Sequence, residues 1–128
     1  MEILLDTQAF IWLCSDDRQL SKTAKKTFLN EKNSFFLSLA SIWEMSIKSS
    51  LGKLKIRPSL ERFILNELQE NNIEQLPIHF QHVIKVNSLP FYHRDPFDRL
   101  LVAQSQIEEF SILSSDTVFD DYGVKRIW

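Results

Sequence analysis

The sequence predicts an α/β fold, in which helices cover both faces of a mainly parallel central sheet of four to five strands. Short apolar runs, such as residues 2–5 and 34–37, are typical of strands buried on both faces. Segments with helical spacing separate these runs, and strands that alternate with helices favour parallel pairing. The 4 prolines and 2 glycines are dispersed, so we expect residues 1–128 to form a single domain.

The elements follow one another along the whole chain. Strands are expected at residues 2–5, 34–37, 73–78, 110–113 and 124–127. Helices or helical turns are expected directly after the first strand and at residues 22–30, 39–50, 59–69, 79–88, 96–107 and 117–121. Ser21 and Ser38 are suitable N-caps, Gly52 is suited to ending a helix, and Pro96 fits a first helical turn. Pro77 indicates that the third strand lies at a sheet edge or ends there.

Composition limits the possible functions. The formal net charge of -2 argues mildly against nucleic-acid binding through bulk electrostatics, although bound cations would neutralise clustered acids. The single cysteine, Cys14, excludes an internal disulfide and lies in an apolar run, where a buried structural thiol is expected. The sequence contains neither a recognisable secretory signal nor an apolar run long enough to span a bilayer, so we expect a cytoplasmic protein with no membrane partner.

Four acids fall where ligands bind in open α/β sheets, at the carboxyl ends of the strands. Asp6 follows the first strand directly, and Asp116 follows the fourth strand. Asp98 lies in the first turn of the helix that leads into the fourth strand, and Glu44 lies about two turns into the helix after the second. If these strands are parallel, the four carboxylates converge at one edge of the sheet.

Each acid also has a structural interpretation. Asp6 or Asp116 suits a cap, Asp98 suits the positive end of a helix dipole, and Glu44 has the spacing to pair with Lys48. Convergence would favour a different role, because clustered carboxylates repel one another unless a cation binds them. Oxygen ligands select hard cations, so the sequence predicts a Mg²⁺ or Mn²⁺ site at Asp6, Glu44, Asp98 and Asp116. Two such ions in one site can promote phosphodiester hydrolysis.

Several motifs around these acids resemble a known family. They are LLDT at residues 4–7, SLASIWEMSIK at 38–48, LGKL at 51–54, HRDPFDRLLVAQ at 93–104, SSD at 114–116, YGV at 122–124 and IW at 127–128. In this order they are similar to the PIN-domain ribonucleases of the VapC type, and the similarity spans essentially the whole chain. Two departures are visible: Gln8 stands where relatives often carry His, and Ser105 replaces a common Ala.

The resemblance implies a three-layer α/β/α sandwich and a Mg²⁺- or Mn²⁺-dependent endoribonuclease. It implies the toxin of a toxin–antitoxin pair, with a small antitoxin as partner and a homodimer as assembly. It makes Asp6, Glu44, Asp98 and Asp116 the catalytic and metal-binding acids. Alternatives within the family are a nuclease of RNA processing and a catalytically silent binding protein. Receiver-type and dehalogenase-type phosphotransfer folds fail, because Asp6-Thr7-Gln8 lacks their second acid.

Other residues are weaker candidates. Thr7, Arg99 and Ser114 are candidate substrate-binding residues. Thr7 and Ser114 match family positions that often carry a hydroxyl near the acids, and Arg99, beside Asp98, is the best candidate for contact with an RNA phosphate. We expect His93 to orient its loop rather than to perform acid–base chemistry, and Asp95 to cap a helix or to contact a metal ligand. His79 and His82 have a spacing compatible with zinc, but no further ligand cluster accompanies them in the sequence.

Overall fold

The computed structural model describes residues 1–128, which form five strands and seven helices. The strands are β1 (Glu2–Leu5), β2 (Ser34–Ser38), β3 (Ile73–Leu76), β4 (Ser111–Leu113) and β5 (Arg126–Ile127). The helices are α1 (Thr7–Ser15), α2 (Lys22–Leu29), α3 (Leu39–Ser50), α4 (Leu60–Glu70), α5 (Phe80–Val86), α6 (Pro96–Glu108) and α7 (Val118–Asp121). None of the helices combines the length and apolar character that a membrane span requires.

All five strands belong to one parallel sheet with the order β3-β2-β1-β4-β5. The predicted parallel sheet is therefore confirmed. β3 lies at an edge, as Pro77 indicates, and it ends at Leu76 rather than at residue 78 because proline cannot donate to a strand ladder. β1 lies at the centre, with Leu5 in register with Leu37 on one side and Leu113 on the other.

The side chains of β1 point alternately to two separate cores. Ile3 and Leu5 face a cluster that includes Phe10 of α1 and Met45 of α3. Leu4 faces the opposite cluster, which includes Leu101 of α6. Helices therefore cover both faces of the sheet, which confirms the three-layer arrangement.

Cys14 packs at the edge of the first core rather than inside it, because its position in α1 leaves the side chain partly exposed. Burial raises the pKa of the Cys14 thiol, and the neighbouring Glu67 adds to this rise. The thiolate is the nucleophilic form of cysteine, so the raised pKa makes this side chain unreactive.

Candidate active site

The central strands bring Asp6 and Asp116 to the same edge of the sheet. The backbone N–H of Asp6 donates to Leu113 O at 3.2 Å, so the residue after β1 lies beside the end of β4. Asp6 caps α1, where its Oδ1 accepts from the Ala9 N–H at 2.6 Å. Asp116 Oδ1 accepts from the Val118 N–H at 3.0 Å at the start of α7. These hydrogen bonds fix both carboxylates at the carboxyl end of the sheet.

The other two acids come from helices on opposite faces of the sheet. Asp98 lies in the first turn of α6, where Asp95 caps the helix by accepting from the N–H groups of Phe97 (2.8 Å) and Asp98 (3.1 Å). The expected capping role of Asp95 is therefore confirmed. Glu44 lies in the second turn of α3 and forms the expected i,i+4 ion pair with Lys48 at 2.8 Å.

A single cleft of about 170 Å³ contains all four acids. Its lining residues are Asp6, Thr7, Gln8, Ile11, Glu44, Lys48, Asp98, Ser115 and Asp116. The four carboxylates thus converge, although several of them also serve as caps or ion-pair partners. Lys48 is the one cationic side chain among the lining residues. A negatively charged substrate would therefore meet mostly like charges here unless cations were bound.

The electrostatics of Asp6 reflect this crowding. Its pKa rises from the ordinary value of 3.8 to about 6. Burial is the main cause, because it penalises the charged form, and the nearby charges of Asp116 and Glu44 raise the value further. Hydrogen bonds from the Ser114 hydroxyl and the Ala9 N–H oppose the rise, since they stabilise the carboxylate. Asp6 therefore lies in an environment that favours a neutralising partner.

The carboxyl group of Asp98 shows the same behaviour. Its pKa rises from 3.8 to about 7, chiefly through burial, with further contributions from the charges of Asp95, Glu44 and Asp6. His93 acts in the opposite direction. A divalent cation would remove the cost of these adjacent charges. The carboxylate oxygens around the cleft are the donor type that Mg²⁺ and Mn²⁺ prefer, so the residues present fit such an ion.

His93 lies inside the acid cluster, although the sequence indicated only a loop role. Its Nε2 lies 3.0 Å from Asp98 Oδ2 and 3.0 Å from Asp116 Oδ2. Potential ligand atoms of these three residues lie within 4.8 Å of one another. The only sequence signal was the place of His93 five residues before Asp98, and that spacing does not reveal the path of the intervening loop.

The prediction that Arg99 contacts RNA phosphate does not agree with the structure. Arg99 is only 6% exposed. Its guanidinium donates to the backbone carbonyls of Val86, Leu89, Pro90 and His93 and to the Tyr122 hydroxyl. These hydrogen bonds occupy the guanidinium donors, so Arg99 stabilises the loop that precedes α6.

The hydroxyls of Thr7 and Ser114 contact the acids, not an open substrate surface. The Thr7 hydroxyl donates to Glu44 Oε1 at 2.7 Å. The Ser114 hydroxyl donates to Asp6 Oδ2 and accepts from the Asp116 N–H at 3.0 Å. Ser114 is fully buried, so its hydroxyl faces the acids and not the open cleft, unlike the substrate contact expected for it. Thr7 also lines the cleft, but its proton is already committed to Glu44.

A parallel five-stranded sheet between two helical layers, with an acidic cleft at its carboxyl edge, defines the class of PIN-like α/β domains. The PIN domain family model matches residues 3–125, and the chain belongs to the PIN-domain family. Proteins of this family are generally nucleases that use divalent metal ions. A comparison with curated proteins finds no significant match.

Solved structures share the fold at low sequence identity. VapBC2 from Rickettsia felis, bound to a DNA fragment from the promoter, matches with a TM-score of 0.74 and 12% identity, over 98% of this chain and 97% of that chain. A toxin–antitoxin complex from Klebsiella pneumoniae matches with a TM-score of 0.58 and 18% identity, over 90% and 87% of the two chains. The PIN domain endonuclease Utp24 matches with a TM-score of 0.53 and 17% identity, over 94% and 75%.

Proposed function

We propose that this protein is a single-domain, divalent-metal-dependent endoribonuclease and acts as the toxin of a toxin–antitoxin pair. The observation that carries the proposal is the convergence of Asp6, Glu44, Asp98 and Asp116 in one cleft. The raised pKa values of Asp6 and Asp98 support it, because placing carboxyl groups so close together costs free energy that a bound cation would offset. We further propose that the protein acts in the cytoplasm, where it would meet its RNA substrate.

Asp6, Asp98 and Asp116 would hold Mg²⁺ or Mn²⁺, and Glu44 would contribute directly or through water. The bound ion supplies Lewis-acid chemistry, which makes water a nucleophile near neutral pH and offsets charge that develops on the phosphate. The oxygen of water forms a bond to phosphorus, the bond from phosphorus to the 3′ oxygen breaks, and that oxygen gains a proton. The products carry a 5′-phosphate and a 3′-hydroxyl, and the RNA 2′-hydroxyl does not react.

The chain's own residues orient this reaction. Glu44 can accept a proton from the attacking water if its carboxylate faces the phosphate. The Thr7 hydroxyl and the Lys48 ammonium each bind one oxygen of Glu44, at 2.7 and 2.8 Å, and so fix its orientation. The Lys48 side chain is 48% exposed, which allows it to contact a phosphate oxygen as well. Burial of Asp6 excludes bulk water from the inner side of the cleft.

The nuclease activity can be tested on labelled single-stranded RNA with Mg²⁺ or Mn²⁺ and with EDTA. We expect metal-dependent cuts by the wild-type protein and none by the Asp98→Asn variant. Asp121→Asn is the matched control, because Asp121 is exposed and lies outside the cleft. A terminal analysis should find 5′-phosphates. Cleavage that persists in Asp98→Asn or in EDTA would contradict the proposal.

The toxin role has separate support. Similarity of fold to VapBC2 and to a toxin–antitoxin complex favours an antitoxin as partner. The homodimer is proposed from the family resemblance. Induced expression in a bacterial host should arrest growth, and Asp98→Asn should relieve the arrest. Co-expression of a cognate antitoxin should also restore growth and yield a stable complex. Unimpeded growth with active enzyme present would instead favour a nuclease of RNA processing.

A further inference from the structure

His93 contacts two of the proposed metal ligands, although it is not one of the four acids of the cluster. Its Nε2 lies 3.0 Å from Asp98 Oδ2 and 3.0 Å from Asp116 Oδ2, and its side chain is only 18% exposed. Two roles fit this position. The imidazole is either a further ligand of the cation or a hydrogen-bond donor that orients the two carboxylates.

The second ring nitrogen distinguishes these roles. Nδ1 of His93 lies 3.2 Å from the backbone N–H of Asp95, which donates to it. A backbone N–H can only donate, so Nδ1 must be the unprotonated nitrogen of the ring. The proton of the neutral imidazole is then on Nε2. A protonated nitrogen has no free lone pair in the ring plane, so Nε2 can donate to carboxylates but cannot bind a metal ion.

The loop that carries His93 is anchored so that this ring orientation persists. The His93 N–H donates to the Tyr122 hydroxyl at 2.9 Å, and that hydroxyl donates to Pro90 O at 2.7 Å. The guanidinium of buried Arg99 donates to His93 O at 3.3 Å. The backbone of His93 is thus fixed from two sides, by α6 and by the segment after α7.

We infer that His93 is a positioning residue: its Nε2–H hydrogen-bonds to Asp116 Oδ2, lies 3.0 Å from Asp98 Oδ2, and so keeps the two carboxylates close together for a shared cation without binding that cation itself. This inference rests on the proposed metal-dependent function. The partial positive charge of this N–H, close to both carboxylates, reduces the repulsion between them, so the ligands are already arranged before the cation arrives. In this role His93 acts like the residues that commonly hydrogen-bond to metal-binding side chains and orient them.

The inference can be tested with Mn²⁺ alone, without any RNA. His93→Ala removes the donor, whereas the side-chain amide of His93→Gln places an N–H near the original Nε2. Calorimetric titration should show Mn²⁺ affinity about 10- to 100-fold weaker in His93→Ala and near the wild-type value in His93→Gln. The exposed histidine variant His79→Gln is the matched control and should bind as the wild type does. Thermal unfolding of each variant checks that it is folded.

Pulsed electron paramagnetic resonance of bound Mn²⁺ separates the two roles directly. We expect no coupling to a directly bound nitrogen in the wild-type protein. Such a coupling, or equal loss of affinity in His93→Gln and His93→Ala, would overturn the positioning role. Unchanged affinity in His93→Ala would also overturn it while leaving the metal site intact. Failure of the wild-type protein to bind Mn²⁺ would instead refute the proposed function, and this inference with it.

Discussion

The hydroxyl of Thr7 donates a 2.7 Å hydrogen bond to Oε1 of Glu44 and so joins the first turn of α1 to the second turn of α3. The other carboxylate oxygen of Glu44 accepts from Lys48 at 2.8 Å. Both oxygens are therefore oriented, and the Glu44 side chain is only 13% exposed. One side chain from α1 and one from α3 thus fix the two carboxylate oxygens of Glu44.

Replacing Thr7 with valine should disturb the site more than the fold. Valine keeps the shape of threonine but leaves Oε1 of Glu44 without its donor. We expect the free energy of unfolding to fall by about 1 kcal/mol, and the cleavage rate to fall roughly tenfold. Thr7→Ser keeps the hydroxyl and serves as control. Urea unfolding and single-turnover cleavage measure the two effects, and full activity in Thr7→Val would show that the orientation of Glu44 is unimportant.

Stability should depend on pH through Asp6 and Asp98. Both groups bind protons more tightly in the folded chain, where their pKa values are about 6 and about 7, than at the ordinary value of 3.8. Their stabilising contribution is complete below about pH 4 and is lost as the pH rises through about 6 and 7. These two groups should therefore make the metal-free protein less stable at about pH 8 than at about pH 5.

Added Mg²⁺ should change this pattern. It binds the charged carboxylates and offsets their repulsion, so it should raise Tm by more at about pH 8 than at about pH 5. Asp98→Asn removes one of the two titrating groups and should reduce both the pH dependence and the effect of Mg²⁺. Thermal unfolding followed by circular dichroism measures both. Equal Mg²⁺ effects at the two pH values would show that the cation does not bind through these acids.

The buried guanidinium of Arg99 leads to a prediction about folding rather than RNA binding. Arg99→Met would leave several backbone carbonyls without a donor, so we expect the free energy of unfolding to fall by about 3 kcal/mol. Arg94→Met is the control, because Arg94 is exposed. Urea unfolding tests the difference. If Arg99→Met kept wild-type stability and lost only affinity for RNA, the original phosphate-contact interpretation would be correct.

The positions of Asp6 and Asp116 were predictable because Asp6 follows β1 directly and Asp116 follows β4 after two serines. Once β1 and β4 are parallel neighbours, their carboxyl ends must meet at one edge. Glu44 was harder to place, since its approach depends on how α3 crosses the sheet, and strand order does not determine that crossing. The capping role of Asp95 was predictable because a helix N-terminus has a local sequence signature.

Two assignments could not be made correctly from sequence neighbours. Arg99 follows Asp98, but consecutive helical residues point about 100° apart, so an acid that faces the cleft directs the next side chain elsewhere. The Arg99 side chain consequently points toward the loop before α6, where it donates to the carbonyls of Leu89 and Pro90. The position of His93 depends on that loop, which is held by contacts with Arg99 and Tyr122, and Tyr122 is distant in sequence. Such tertiary contacts leave no periodic pattern.

The most direct test of a shared metal site is anomalous diffraction from crystals grown or soaked with Mn²⁺. We expect a strong anomalous peak in the cleft, in contact with the carboxylates of Asp98 and Asp116, and its loss in Asp98→Asn crystals. The Asp121→Asn control should retain the peak. Absence of any peak in the cleft, or an undiminished peak in Asp98→Asn, would contradict the conclusion that these acids form one metal site.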